Sequence, residues 1–442
     1  MTDRYKAYPE YKDSGVEWLE DIPTHWSSKA LKFLCTYNDD VINETTDPET
    51  IIEYVDIGSV SAVEGISKTE KVAFGKSPSR ARRIVRNGDV IVSTVRTYLE
   101  AIAPITNPPE NMIVSTGFAV IRPNSKLDKG FAAYCLRAKG FIREVVARSV
   151  GISYPAINAT ELVGISVPYL PYEEQQKIAN FLDHETAKID TLITKQEKLI
   201  ELLKEKLLAN RYHTVTKGLN PDVNFVETGI SWTPLAPEHW LQVPNRSVMS
   251  MRRVLVGQNY RNYQLLSLTK KGVLVRNISS GEGKQSDHLD RTQEVRKGDL
   301  VFCLFDVEET PRTVGLSHHL GMISGDYTVF ECSNPNMARF LEYFYKAMDD
   351  RKLLKPLYRG LRKRIPKPGF LRVNIPVPPK EELESILQSL DYLEERIEQL
   401  THLADKQVTI LKERKTALIS AAVTGKIDVR NFKSKEQGSH NG

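Results

Sequence analysis

One stretch limits what this chain can become. From Glu173 to His213 there is no proline and no glycine, and Leu, Ile, Glu and Lys dominate. Nothing in it obliges a helix to break. Apolar residues fall at Leu182, Ile189 and Leu203, and again at Ile178, Leu192 and Leu199, the two seams of a heptad pattern interrupted by Glu185, Gln196, Lys206 and Asn210. The spacing predicts one helix of about 40 residues, roughly 60 Å long, which is more than a small domain can use.

The same stretch returns 208 residues later without a gap. Pro171-Tyr172-Glu173-Glu174 becomes Pro379-Lys380-Glu381-Glu382, and Leu182-Asp183 becomes Leu390-Asp391. Ile189 maps to Ile397, Leu203-Lys204-Glu205-Lys206 to Leu411-Lys412-Glu413-Arg414, and Val215-Thr216 to Val423-Thr424. Two copies with matched apolar seams can bury those seams against each other. The register predicts antiparallel packing along Leu182/Ile189/Leu203 and Leu390/Ile397/Leu411.

The repeat reaches beyond the helices. Gly15-Val16-Glu17-Trp18 and Pro23-Thr24-His25-Trp26 recur as Gly229-Ile230-Ser231-Trp232 and Pro237-Glu238-His239-Trp240. Trp26 and Trp240 are expected to pack the entrance of each domain, with His25 and His239 satisfying a local hydrogen bond. Val85-Arg86-Asn87-Gly88-Asp89-Val90 matches Val295-Arg296-Lys297-Gly298-Asp299-Leu300, a turn leading into a buried strand. Asp89 and Asp299 are turn residues on this reading, because no second acid recurs at a useful spacing.

Strands are expected at Ile51–Ile57 and Tyr263–Leu268, and at Ser115–Ile121 and Ser324–Phe330. Helices follow at Lys129–Val150 and Pro335–Leu357, then short strands at Gly164–Val167 and Leu371–Val377. The fold class is α+β, with two repeated globules each followed by a long helix, the helices forming an antiparallel coiled coil. The expected boundaries are 1–171 and 215–379 for the globules, 172–214 and 380–424 for the helices, and 425–442 for a C-terminal tail, whose final stretch Lys433–Gly442 is polar and expected to fray.

A chain of 442 residues with 40% hydrophobic content exceeds one domain. Cys35, Cys135, Cys303 and Cys332 are scattered, with no metal-ligand spacing, and read as small buried hydrophobes in a reducing cytoplasm. No signal peptide and no apolar run of transmembrane length is evident, so no membrane partner is expected. There is no GxxxxGK[ST], HExxH or GxSxG pattern. Asn107-Pro108-Pro109 is followed by Glu110, where an adenine-methyltransferase motif needs an aromatic ring to stack on a flipped base, and it reads as a turn.

The halves differ most in their loops, and those loops are basic. Arg351–Pro368 holds eight Lys or Arg residues and no acid, and Lys76–Arg86 is likewise acid-free. Such clusters attract phosphates, and Arg can also read guanine through its fork. Candidate contacts are the basic, polar and aromatic residues of the divergent loops. In the first unit they are Arg80, Arg82, Ser93, Thr94, Arg96, Tyr98, Ser153, Tyr154 and Asn158. In the second they are Lys270, Lys271, Asp306, Arg312, Tyr358, Arg359, Arg362, Arg364 and Lys367. A nuclease in its own right and a coiled-coil adaptor that binds only protein are the alternatives. The first needs clustered carboxylates for a metal, and the second should lack salt-dependent binding to random duplex.

Two globules, each ending in Pro and Glu-Glu before a long helix with Leu-Asp, resemble the specificity subunit of type I restriction–modification systems. The residues that carry this are Val167-Pro168-Tyr169-Leu170-Pro171-Tyr172-Glu173-Glu174-Gln175-Gln176-Lys177-Ile178 with Phe181-Leu182-Asp183, and Ile375-Pro376-Val377-Pro378-Pro379-Lys380-Glu381-Glu382-Leu383. The second copy departs at Leu383, Glu384 and Ser385, where the first has Gln175, Gln176 and Lys177. The resemblance implies a non-catalytic chain whose globules each read half of a bipartite double-stranded DNA target, with the helices holding them at a fixed separation. It further implies two methyltransferase subunits and motor/nuclease subunits as partners. S-adenosylmethionine, ATP and magnesium belong to those partners.

Overall fold

The computed structural model describes residues 5–61, 65–276, 289–307, 310, 312–332 and 334–432. The polar tail expected from Lys433 to Gly442 lies outside them. The chain divides into two compact units, Met1–Gln196 with Lys406–Gly442, and Glu197–Asp405. Each unit therefore holds one globule, the near part of its own long helix and the far part of the other.

In the first unit one four-stranded antiparallel sheet has the order Ile102–Pro104, Val90–Ser93, Phe118–Pro123, Cys35–Tyr37. A second has the order Glu70–Ala73, Ile51–Val55, Met112–Ser115, Ala81–Ile84, with a parallel central pair. The second unit repeats both. Val314–Leu316, Leu300–Phe302, Thr328–Cys332 and Met249–Arg252 make the antiparallel sheet. Gly272–Val275, Gln264–Thr269, Gly321–Ile323 and Gln293–Val295 make the other, with the same single parallel pair.

Period-two alternation places the core. Val90 and Val92 face the helices, while Ile91 joins Val55, Val114 and Val120 between the sheets. Leu300 and Phe302 likewise face one core and Val301 the other. The strand-entry aspartates close the turns before these strands. Asp89 accepts from the Arg86 amide at 2.8 Å and from Arg122 at 2.9 and 2.8 Å. Asp299 accepts from the Arg296 amide at 2.7 Å and from Arg252.

The structure corrects four expected elements. Ser115–Ile121 is not one strand: Met112–Ser115 and Phe118–Pro123 lie in different sheets, and the chain crosses between them at Thr116-Gly117. Of Ser324–Phe330 only Thr328–Phe330 is strand, the start of Thr328–Cys332; the counterpart of Met112–Ser115 is Gly321–Ile323, which ends just before the expected run. The helix Lys129–Val150 is two, Lys129–Cys135 and Lys139–Ala147. The Arg137 side chain turns back to donate to the Ala133 carbonyl at 2.8 Å where they part. The helix from Pro335 stops at Asp350 rather than Leu357.

The long helices run Tyr172–Lys217, 46 residues, and Lys380–Val423, 44 residues. Each ends on a glycine in the left-handed region, Gly218 at φ 75° and Gly425 at φ 72°, which only glycine adopts cheaply. A Cβ on Gly425 would lie 2.4 Å from Pro23, and one on Gly218 would lie 3.2 Å from Trp240. The end of one helix thus meets the entrance motif beside the start of the other, and this is so within each unit separately. In the first unit Lys415 pairs with Asp190 at 2.7 Å, and Leu418, Ile419, Ala422 and Val423 join Ile178, Leu182 and Ile189 in one core. In the second, Arg211 bonds Glu394, and Val215 packs with Leu383, Ile386 and Leu390. The helices are antiparallel in both.

The first expected seam is covered at Leu182, Ile189, Leu390 and Ile397 and half-covered at Leu203 and Leu411. The second is not continuous. Ile178 is buried against its own globule, but Leu192 and Leu199 are exposed, as are Leu202, Leu403 and Ile410. Past the globule that face is about half exposed.

Both helix starts are clasped to the entrance motif. Glu174 accepts from the Tyr8 hydroxyl at 2.6 Å, from Trp26 Nε1 at 3.2 Å, and meets His25 Nε2 at 2.9 Å. Glu382 accepts from Trp240 Nε1 at 3.0 Å and meets His239 Nε2 at 2.7 Å. One residue on, the copies diverge. Buried Gln175 bonds the Lys126 and Leu170 carbonyls and the Asp128 amide, whereas Leu383 is plain core.

Candidate nucleic-acid interface

In each unit a buried strand delivers a loop to the surface, and a second loop is stitched to it. In the first unit the strand Val90–Ser93 runs on through Thr94 and Val95 to Arg96, whose φ of 52° turns the chain sharply. The second loop closes where Val150 and Ala156 exchange backbone hydrogen bonds of 2.8 and 3.0 Å. The Ile157 amide donates to the Thr94 carbonyl at 2.9 Å, and the Thr97 hydroxyl to Ser149 Oγ at 2.7 Å. On this rigid base Arg96 lies over the Tyr154 ring at 5.0 Å, and Tyr98, Ser153 and Tyr154 are exposed.

The second unit builds the same base from different residues. Asp306 takes the place of Arg96, with φ 45°. Arg359 and Arg364 exchange backbone bonds of 2.8 and 3.0 Å, and the Ile365 amide donates to the Leu304 carbonyl at 2.9 Å. The Asp306 amide donates to the Arg362 carbonyl at 3.0 Å. Arg359, Arg362 and Arg364 are exposed on this loop. Arg359 Nη1 folds back onto the Tyr358 carbonyl at 2.8 Å, and burial raises the Tyr358 phenol above its ordinary value. Lys367 is half-buried, and its ammonium is held below the usual lysine range by burial and by neighbouring Arg253.

The other candidates have varied settings. Lys270 and Lys271 are exposed in the turn of the hairpin Gln264–Thr269/Gly272–Val275. Arg80 is exposed beside the strand Ala81–Ile84, and half-buried Arg82 lies over the Phe74 ring at 5.2 Å. The Asn158 side chain caps the short helix Ala159–Leu162 in a capping box with Glu161. Ser93 is buried and donates to the Val95 carbonyl at 2.6 Å, and Thr94 donates to the Gly117 carbonyl at 2.9 Å. Arg312 is engaged inside its unit with Asp350, which also bonds Arg211 at 2.6 Å. Ser93 and Arg312 thus hold the loop bases rather than lead them.

Ile152 and Leu361, both fully exposed at the loop tips, are neither polar nor aromatic and so lie outside the candidates the sequence offers. Their shared signal is Gly-Ile in one copy and Gly-Leu in the other. Among the described residues no three His, Cys, Asp or Glu side chains converge as a bound metal needs, and no helix is long and apolar enough to cross a membrane.

These features define a duplicated α+β fold, with one scaffold used twice beneath two different loop surfaces. Residues 26–202 match the model of the type I restriction modification DNA specificity domain. A *Methanocaldococcus jannaschii* protein provisionally assigned as the specificity subunit of type I restriction enzyme MjaX is 24% identical, over 95% of this chain and 98% of that protein. The EcoKI specificity subunit of *Escherichia coli* K12 is 26% identical over 44% of this chain and 45% of that one. A chain solved in work on complex assembly and conformational transition of the type I R-M system shares the fold at TM-score 0.69, with 20% identity over 92% of this chain and 99% of that chain. The HsdS subunit from *Thermoanaerobacter tengcongensis* gives TM-score 0.53 and 21% identity, over 92% and 98% of the two chains. Along its length the chain is similar to type I specificity subunits, as its duplicated motifs had implied.

Proposed function

We propose that this chain is the DNA specificity subunit of a type I restriction–modification complex, in which each unit reads one half of a bipartite duplex target. The observation that carries this is duplication with divergence. Strand orders, helix clasps and loop bases repeat, while the loop surfaces do not. A reader of two unlike half-sites needs that combination. Exposed Arg359, Arg362 and Arg364 supply phosphate or guanine contacts in the second unit. Arg96, Tyr98 and Tyr154 supply them in the first.

The chain itself takes no catalytic step on this reading. Methylation of adenine and cleavage fall to partner subunits, which bring S-adenosylmethionine, ATP and magnesium. The exposed apolar residues Leu199, Leu202 and Leu403 of the second unit's helices offer a docking face for a methyltransferase subunit. The setting is the cytoplasm, where the DNA is. Mapping modified adenines in cells carrying the complete system tests this. Two short specified blocks around unspecified base pairs are the expected result. Modification that does not depend on this chain would overturn it.

A further inference from the structure

The recognition loops share one feature that phosphate binding does not explain. Gly151 and Gly360 occupy matching places, both with positive φ, at 121° and 70°. Each is followed by an aliphatic residue, Ile152 or Leu361, whose side chain is fully exposed. Neither joins a hydrophobic core. An isolated exposed apolar residue is ordinary. Two at equivalent positions, each at the tip of a loop pinned at its base by a pair of backbone hydrogen bonds, are a repeated device.

The surroundings indicate what the tips meet. Leu361 stands among Arg359, Arg362 and Arg364, on a segment without an acid from Arg351 to Lys367. Ile152 stands beside the Arg96–Tyr154 stack. An aliphatic tip on a loop that also carries or adjoins cations suits a polyanion with an apolar interior, which describes duplex DNA. Ile and Leu are among the side chains that unstack base steps as wedges. The small neighbours Gly151, Ser153 and Gly360 leave the aliphatic group leading.

We propose that Ile152 and Leu361 are wedges, each inserting between stacked bases of the half-site its own unit reads. This rests on the DNA-reading function above and adds to it a local distortion at each half-site. The cations hold the backbone while the aliphatic group displaces the stack. Specificity then includes the cost of opening that step, which is lowest at pyrimidine–purine steps.

The test uses the full chain, with any subunits that copurify, and duplexes selected by it from a random pool. 2-Aminopurine is placed in turn at each step of both half-sites. Bound wild-type chain should raise fluorescence several-fold at one step in each half. Leu361→Ala should abolish the rise in one half only and Ile152→Ala in the other, while Leu361→Phe retains it. Both residues are solvent-exposed, so these variants should fold. Specific binding with no rise at any step, or a rise that survives both substitutions, overturns the wedges and leaves DNA reading intact. So does equal loss of binding on replacing thymine by uracil, which would make the tips readers of methyl groups in the groove. Failure of wild-type chain to prefer its selected duplex over random DNA overturns the reading as well as the wedges.

Discussion

Replacing the clasp glutamates should separate the two units energetically. In the first unit, Glu174→Ala removes the acceptor of both Tyr8 and Trp26, which are buried. A buried donor left without a partner costs about 1–3 kcal/mol, so the two together cost about 2–6 kcal/mol. His25 loses its partner too, but it is near water, which replaces the bond. In the second unit, among the described residues, Glu382→Ala orphans only Trp240 Nε1 as a buried donor, because His239 is solvent-accessible and no tyrosine joins that clasp. The cost there is about 1–3 kcal/mol. Glu174→Gln keeps one carbonyl acceptor and should recover part of the first loss. Native-state hydrogen exchange reads each helix start separately through peptides covering residues 172–182 and 380–390. Glu174→Ala should lower protection of the first more than Glu382→Ala lowers protection of the second. Equal losses, or the reverse order, would refute the hydrogen-bond accounting.

Arg362→Ala with Arg364→Ala should weaken duplex binding and reduce the slope of log affinity against log salt by about 1 per lost phosphate contact, read by titration across salt concentrations. A changed sequence preference instead would make these residues base readers. Leu182→Ala and Leu390→Ala, at fully buried seam positions, should each cost about 2–5 kcal/mol in denaturant unfolding. Burial pushes the Cys35 thiol up to about 12 and Cys303 to about 11, so thiol reagents at pH 8 should label both slowly in native protein and rapidly after unfolding. Asp428 is held below its ordinary value by hydrogen bonds from Arg430, so its contribution is present above the unfolded value of 3.8 and lost as pH falls through the lower folded value. Asp428→Asn should flatten the acid-side loss of protection in residues 425–432.

The long helices were legible because a Pro-free, Gly-free apolar period has one stable solution, and because the second copy keeps the register. The antiparallel seam followed from matching Leu182 with Leu390 and Ile189 with Ile397. What the sequence concealed depends on neighbours distant in the chain. Strands that change sheets at Thr116-Gly117 read as one apolar run, since alternation does not record which sheet a residue joins. Leu192 and Leu199 fit the heptad as well as Ile178, and only their exposure, 45% and 43% against 0%, distinguishes them. The loop candidates show the same limit. Arg312 and Arg362 are alike in sequence, yet Asp350 holds one inside its unit and leaves the other at the surface. Ser93 ends a strand and lies buried. The aliphatic tips carry no polar or aromatic signature of a DNA contact, although Gly151-Ile152 and Gly360-Leu361 repeat in the sequence.

On the proposed function, two copies of one scaffold read two different half-sites independently. Selection from a randomised duplex pool, performed with wild-type chain and with a variant whose residues 359–364 are replaced by a neutral turn of the same length, tests it directly. Wild-type chain should enrich two specified blocks divided by a constant number of unspecified base pairs. The variant should retain the block read by the first unit and lose the other. Enrichment of a single contiguous block, or loss of both blocks together, would contradict the account.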